Sequence, residues 1–132
     1  MSTELSRHVL SQDSMSEFAG LLGDRFPGRR GPVHNHHTDP DIARQLGLPG
    51  TVAQALHYCG YISEMLFDRW GHDWLTRGDI EMAFLKPVYA GDEVQIAVES
   101  VDGDGTGPVI VNCRNQRGEL VATGSARLDG DA

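Results

Sequence analysis

Cysteine, lysine and long apolar runs are scarce in this chain, and each scarcity excludes something. Cys59 and Cys113 are the only cysteines in 132 residues and form no CxxC pair. That is too few for a disulfide framework, and both are expected to be reduced thiols of a cytoplasmic protein. No apolar run approaches the roughly 20 residues that span a bilayer, and the polar N-terminus has no signal-peptide core, so no membrane role is expected. Eleven basic residues face 19 acidic ones, for a net charge of −8. Nucleic-acid binding needs basic surface and is not expected here. Lys86 is the one lysine among the eleven, and that bias carries no functional reading. With 39% hydrophobic and 23% charged residues, the composition is that of an ordinary globular protein. One domain over residues 1–132 is expected.

Histidine is concentrated instead of scarce. Three of the six fall within His34-Asn35-His36-His37, and Thr38-Asp39-Pro40 follows at once. Imidazole titrates nearest neutral pH of all side chains and is a common metal ligand. The search for function therefore starts at this cluster.

Local signals give an outline of the elements. Residues 1–8 read as an irregular start. Ser11-Gln12-Asp13-Ser14 can cap a short helix on which Phe18, Leu21 and Leu22 share a face, ended by Gly23-Asp24. Residues 25–36 are rich in Pro, Gly and Arg and read as a loop. Thr38 or Asp39 caps a second short helix with Pro40 at a tolerated first position, and Leu48-Pro49-Gly50 breaks it. Residues 51–70 form the longest helical pattern, apolar around most of its circumference, which predicts burial on most sides. Strands are expected over 80–88, 93–101, 108–115 and 120–128, the last three as an antiparallel meander. One long helix followed by such a sheet is an α+β arrangement. A single sheet cannot cover the helix all round, so a homodimer is expected.

Four stretches carry a resemblance to a known family. Phe18-Ala19-Gly20-Leu21-Leu22-Gly23-Asp24 and His37-Thr38-Asp39-Pro40-Asp41-Ile42-Ala43 resemble the two halves of its first motif. Phe84-Leu85-Lys86-Pro87-Val88-Tyr89-Ala90-Gly91-Asp92 resembles its strand-and-turn motif, and Gly118-Glu119-Leu120-Val121-Ala122-Thr123-Gly124-Ser125-Ala126 its last strand. The chain is similar to the MaoC-like dehydratases, the (R)-specific enoyl-CoA hydratase type. The resemblance implies a hotdog fold, with a long central helix wrapped by a curved antiparallel sheet. It also implies a substrate that is an acyl-CoA or acyl-carrier-protein thioester, and no cofactor. In that family an Asp and a His flank the reacting water, and His37 matches the His. Asp24 matches the Asp but stands thirteen residues before His37, where the family has a short Asn-Pro link. Either the added loop returns Asp24 to the site or the acid is lost. Ala55 stands where the family has a Gly whose backbone N–H meets the thioester carbonyl, and Gln54 precedes it where the family often has His.

Water addition across a 2-enoyl thioester needs a base for the water, a proton for the α-carbon and a donor for the enolate oxygen. His37 and Asp24 would supply the first two, and the Ala55 backbone N–H at a helix start the third. Gln54 would border the substrate, and Arg29 and Arg30 could meet the phosphates of its carrier arm, although such a pair is more often a solvated loop. A metal reading also exists. Gly28, His34, His36, Asp41 and Gly47 imitate a cupin motif, and loop ligands could hold zinc. A long helix follows and the second cupin motif is absent, so no metal is expected. Asp39 reads as a helix cap, His57 as a satisfied buried histidine or a pocket residue, and Trp70 and Trp74 as packing at the helix end. Two rival functions keep the fold: a cyclase or isomerase acting on a polyketide-like substrate, and an inactive binding subunit of a heteromeric hydratase.

Overall fold

The computed structural model of the chain describes residues 3–23, 35–102 and 105–129. Among these, five strands form one antiparallel sheet of order β1-β3-β4-β5-β2. The strands are β1 (Thr3–Val9), β2 (Gly78–Phe84), β3 (Glu93–Ser100), β4 (Val109–Arg114) and β5 (Leu120–Leu128). The helices are α1 (Gln12–Gly23), α2 (Pro40–Gln45), α3 (Ala55–Trp70) and α4 (His72–Arg77). The meander β3-β4-β5 is present as the sequence predicts. Its core face follows the period-two pattern of a pleated strand: Val94, Ile96 and Val98 of β3, and Val109 and Val111 of β4, are fully buried. Each such side chain contributes roughly 1.5–3 kcal/mol by leaving water.

Helix α3 lies on that face through His57, Tyr58, Ile62, Met65 and Leu66. Its other side is open, with Leu56 and Phe67 exposed. The expected burial on most sides is therefore a correction. Five strands cover one flank of a helix, and its remaining apolar residues stay exposed in the single chain. The helix also begins later than the pattern predicts. Residues 51–54 are extended, with Val52 bridging Tyr89 across the chain, and Gln54 sits at the N-cap in an extended conformation.

A second correction concerns the first residues. They form β1, which pairs with β3 along its whole length. Its alternation is inverted relative to an ordinary edge strand. Leu5 and Val9 are exposed, whereas Glu4, Ser6 and His8 turn inward. The inner polar groups are anchored one by one. Glu4 accepts from Arg69 at 2.8 Å, Ser6 Oγ donates to Met65 Sδ at 3.2 Å, and His8 stacks on Tyr61 with centroids 3.7 Å apart. A third correction is α4, which the sequence outline does not contain. It turns the chain from α3 into β2, with Trp74 Nε1 donating to Ser63 Oγ at 2.8 Å and its ring tilted against Trp70 at 5.9 Å. The backbones of β2 and β5 approach so closely at Met82 and Gly124 that a Cβ on Gly124 would collide with the Glu81 carbonyl.

Candidate functional site

The site region is built where three segments meet: the turn carrying His36 and His37, the extended segment before α3, and the first turn of α3. Asn35 sets the turn. Its side-chain oxygen accepts from the His37 amide at 2.8 Å, and its carbonyl accepts from Thr38 and Asp39. Asp39 then caps α2 through Asp41 N at 2.9 Å, with Pro40 at the first helical position. Capping by Asp39 settles the choice the sequence left between it and Thr38.

Two bonds join the turn to the segment before α3. Val52 N donates to the His36 carbonyl at 3.0 Å, and His37 Nδ1 lies 2.6 Å from the Val52 carbonyl oxygen. A carbonyl can only accept, so His37 Nδ1 carries a hydrogen. In the neutral ring the lone pair is then on Nε2. The ring of His36 lies tilted against it at 3.9 Å. Burial, and next the neighbouring His37, lowers the His36 pKa.

Val52 and Ala55 line a shallow groove of about 260 Å³, with Tyr58 on the helix side and Phe84, Leu85, Lys86, Pro87 and Val88 opposite. Ala55 is the first residue of α3, so the helix itself offers its N–H no acceptor. Gln54 caps nothing with its side chain and is half-buried. Tyr58 is buried and meets the Phe84 ring edge-on at 6.0 Å. Burial, and then the Cys113 and Cys59 thiols, raises its pKa, so the phenol stays neutral. Burial likewise pushes the Cys113 thiol up to about 12 and raises Cys59. Neither cysteine is a poised nucleophile.

The structure thus brings His37 to the strand segment that leads into Ala55 and Gln54. Asp24, Arg29, Arg30 and His34 lie outside the described residues. Among the described residues no group of three His, Cys, Asp or Glu gathers as a metal site. His57 is buried but not satisfied. Among the described residues its Nδ1 has no hydrogen-bond partner, and its ring stacks on Phe18 at 4.9 Å. Sequence reasoning missed Gln12 and Thr51. Gln12 Nε2 donates to the His37 carbonyl at 3.2 Å, and the Thr51 hydroxyl donates to Gln12 Oε1. No spacing rule announces a contact between a helix start and an extended segment 39 residues on.

Comparison with known proteins bears on the fold and the family. The chain matches the MaoC like domain over residues 1–117. No curated protein matches the sequence significantly. Among solved structures, an (R)-hydratase from A. caviae involved in PHA biosynthesis superposes with a TM-score of 0.70 at 20% identity, over 96% of this chain and 94% of that one. A MaoC-like dehydratase from Phytophthora capsici gives 0.72 at 22% identity, over 98% of this chain and 42% of that one. The HadBC (3R-hydroxyacyl-ACP dehydratase) complex from Mycobacterium tuberculosis gives 0.62 at 22%, over 96% and 95%. These likenesses establish the hotdog fold, α+β with a central helix on an antiparallel sheet. Within the described residues no helix is long and apolar enough to cross a membrane. A family match over most of the chain, on a sheet and helix arranged in this way, makes the protein a member of the MaoC-like dehydratase family.

Proposed function

We propose that this chain is a hydro-lyase that adds water to a 2-enoyl thioester, or removes it from the 3-hydroxyacyl thioester, with His37 as its acid–base group. The observation that carries the reading is the bond from His37 Nδ1 to the Val52 carbonyl. It fixes the ring and its tautomer and leaves Nε2 as the basic nitrogen. In the hydration direction Nε2 takes a proton from water as the oxygen bonds to the β-carbon. Electron density moves to the thioester oxygen, where the Ala55 N–H stabilises the enolate. The α-carbon then takes a proton from the carboxyl of Asp24, the step assigned here to that residue, and the proton held on His37 passes through solvent to the Asp24 carboxylate, which restores both groups. Microscopic reversal gives dehydration. Arg29 and Arg30 are assigned to the carrier phosphates, and Gln54 to the border of the acyl group. The reading supports coenzyme A or a carrier protein equally, because the thioester is common to both.

The proposed assembly is a dimer. β2 is an edge strand, and Ile80, Phe84 and Leu85 at that edge are exposed, as are Leu56, Phe67 and Leu75 on the helices beside it. A second chain paired along β2 would cover these residues and deepen the groove. The HadBC structure is itself described as a complex, so a non-identical partner of the same fold is the alternative to a homodimer.

The test is hydration of crotonyl-CoA and of longer 2-enoyl thioesters, on coenzyme A and on a carrier protein, followed as loss of the conjugated enoyl absorbance. Turnover is expected on at least one of them. No turnover on any, by protein confirmed as folded, would refute the hydro-lyase and favour a cyclase, an isomerase or a binding subunit.

A further inference from the structure

Gln12 is the first residue of α1, and its side chain reaches the segments that carry the proposed chemistry. Its Nε2 donates to the His37 carbonyl at 3.2 Å and to Ser16 Oγ at 3.1 Å, and its Oε1 accepts from the Thr51 hydroxyl. Both amide hydrogens and the oxygen are engaged. Turning the amide over would set Oε1 against the His37 carbonyl, two acceptors facing each other, so the network fixes the amide's orientation. Thr51 is 2% exposed, and its own carbonyl accepts from Ala90 N at 3.0 Å. It is therefore a fixed anchor.

The topology gives this contact its significance. The turn bearing His37 and the segment leading into α3 are joined directly by Val52 N to the His36 carbonyl and by His37 Nδ1 to the Val52 carbonyl. Both bonds run between residues 36–37 and Val52. Gln12 adds a third tie from a separate element, with one arm on His37 and the other on Thr51. Two bonds in one line leave a hinge, and a third from the side removes it. We infer that Gln12 is a positioning residue, a bracket between His37 and Thr51 that holds the imidazole in register with the Ala55 amide at the start of α3. The inference rests on the catalytic reading of His37. A carboxylate could not replace the amide, because it has no hydrogen to offer the His37 carbonyl.

The experiment pairs kinetics on crotonyl-CoA with the proton–nitrogen spectrum of the histidine rings, which reads the His37 Nδ1–H directly. Gln12→Met keeps the length and helix propensity of the side chain and removes all three bonds. It is expected to lower kcat about tenfold with KM changed by less than about twofold, since small displacements of a catalytic group cost rate more than binding. The His37 Nδ1–H resonance should shift or broaden. Thr51→Val removes the far arm and should move both readouts in the same direction. Thr51→Ser, which keeps the hydroxyl, should restore them. Ser16→Ala breaks only the bond within α1 and should leave both unchanged. An unmoved resonance and rate in both Gln12→Met and Thr51→Val overturn the inference. A moved resonance with an unchanged rate keeps the bracket and removes His37 from the chemistry, so failure of the functional reading is told apart from failure of the bracket.

Discussion

His37→Asn separates the two jobs assigned to one side chain. The Nδ1 bond to the Val52 carbonyl is short, at 2.6 Å. Breaking it would remove a bond worth roughly 0.5–1.5 kcal/mol and leave a carbonyl to be resolvated at a cost of about 1–3 kcal/mol if it is shielded from water. An Asn amide places an N–H close to where Nδ1 stood, so most of that bond is retained, but it has nothing in the place of Nε2. The structural cost of His37→Asn is therefore about 1 kcal/mol or less, a few degrees in Tm for a domain of this size. The chemical cost is much larger. Loss of a general acid–base group typically slows the reaction about 10²- to 10⁴-fold, or roughly 3–5 kcal/mol in the barrier. The expected outcome is a folded protein with a Tm near that of the wild type and turnover of crotonyl-CoA at least about a hundredfold lower. Rates would be measured at saturating substrate, with circular dichroism melts on the same samples. A stable His37→Asn variant that retains turnover within about threefold of wild type would refute the mechanism, since no transition-state interaction would have been lost.

Two further substitutions test the packing that frames the site. His57→Phe keeps a ring against Phe18 and removes a buried nitrogen that has no partner among the described residues, so Tm at neutral pH should rise by a few degrees, as for about 1 kcal/mol gained. Burial lowers the His57 pKa, so the unfolded chain takes up its proton first as pH falls, and stability is lost from about pH 6.5 downward. The melts should therefore show a shallower loss between about pH 7 and 5 in His57→Phe, with the remaining slope supplied by His8 and His36, whose values are also lowered. A lower Tm or an unchanged slope would sink this account. Arg69, whose side chain is 7% exposed, ties Glu4 of β1, Ser100 of β3 and the Gly105 carbonyl to α3. Arg69→Met should cost about 2–4 kcal/mol in urea unfolding, less than the full penalty for breaking a buried pair because Glu4 is 40% exposed and can rehydrate. Adding Glu4→Gln should recover part of the loss, and a cost below about 1 kcal/mol would show that the tie is dispensable.

The parts of the fold legible in the sequence are those governed by apolar periodicity. The meander is readable because Val94, Ile96 and Val98 recur at every second position with Glu93, Gln95, Ala97 and Glu99 between and around them, and α3 because its apolar residues recur at helical spacing. β1 is not readable, because its alternation is inverted. Its inward residues are Glu4, Ser6 and His8, held by an arginine, a thioether and a tyrosine that lie 53 to 65 residues away in the chain. The candidate site follows the same division. His37 stands out because a histidine cluster beside a helix cap is unusual in composition. Gln12 and Thr51 do not, because their role is a hydrogen bond between two unremarkable polar residues brought together by the fold.

The departures of this chain from its family's pattern are not equal in consequence. At Ala55 the proposed donor is the backbone N–H, which is the same group whatever the side chain. Alanine there keeps the donor, favours the helix more than glycine would, and adds only a methyl to the groove. Gln54 changes a side chain that caps nothing, so its substitution leaves the helix start intact. The spacing of Asp24 is of another kind, because there the side chain itself would do the chemistry. Replacing it would remove the proposed proton donor, which no backbone group can supply. The pattern therefore departs harmlessly at Ala55, where the proposed donor is the main chain, departs in spacing at Asp24, where a side chain would act, and holds at His37, whose proposed acid–base role needs an imidazole. A reaction run by His37 and the Ala55 amide would tolerate the first two changes, and its dependence on Asp24 is where this chain would differ most from its relatives.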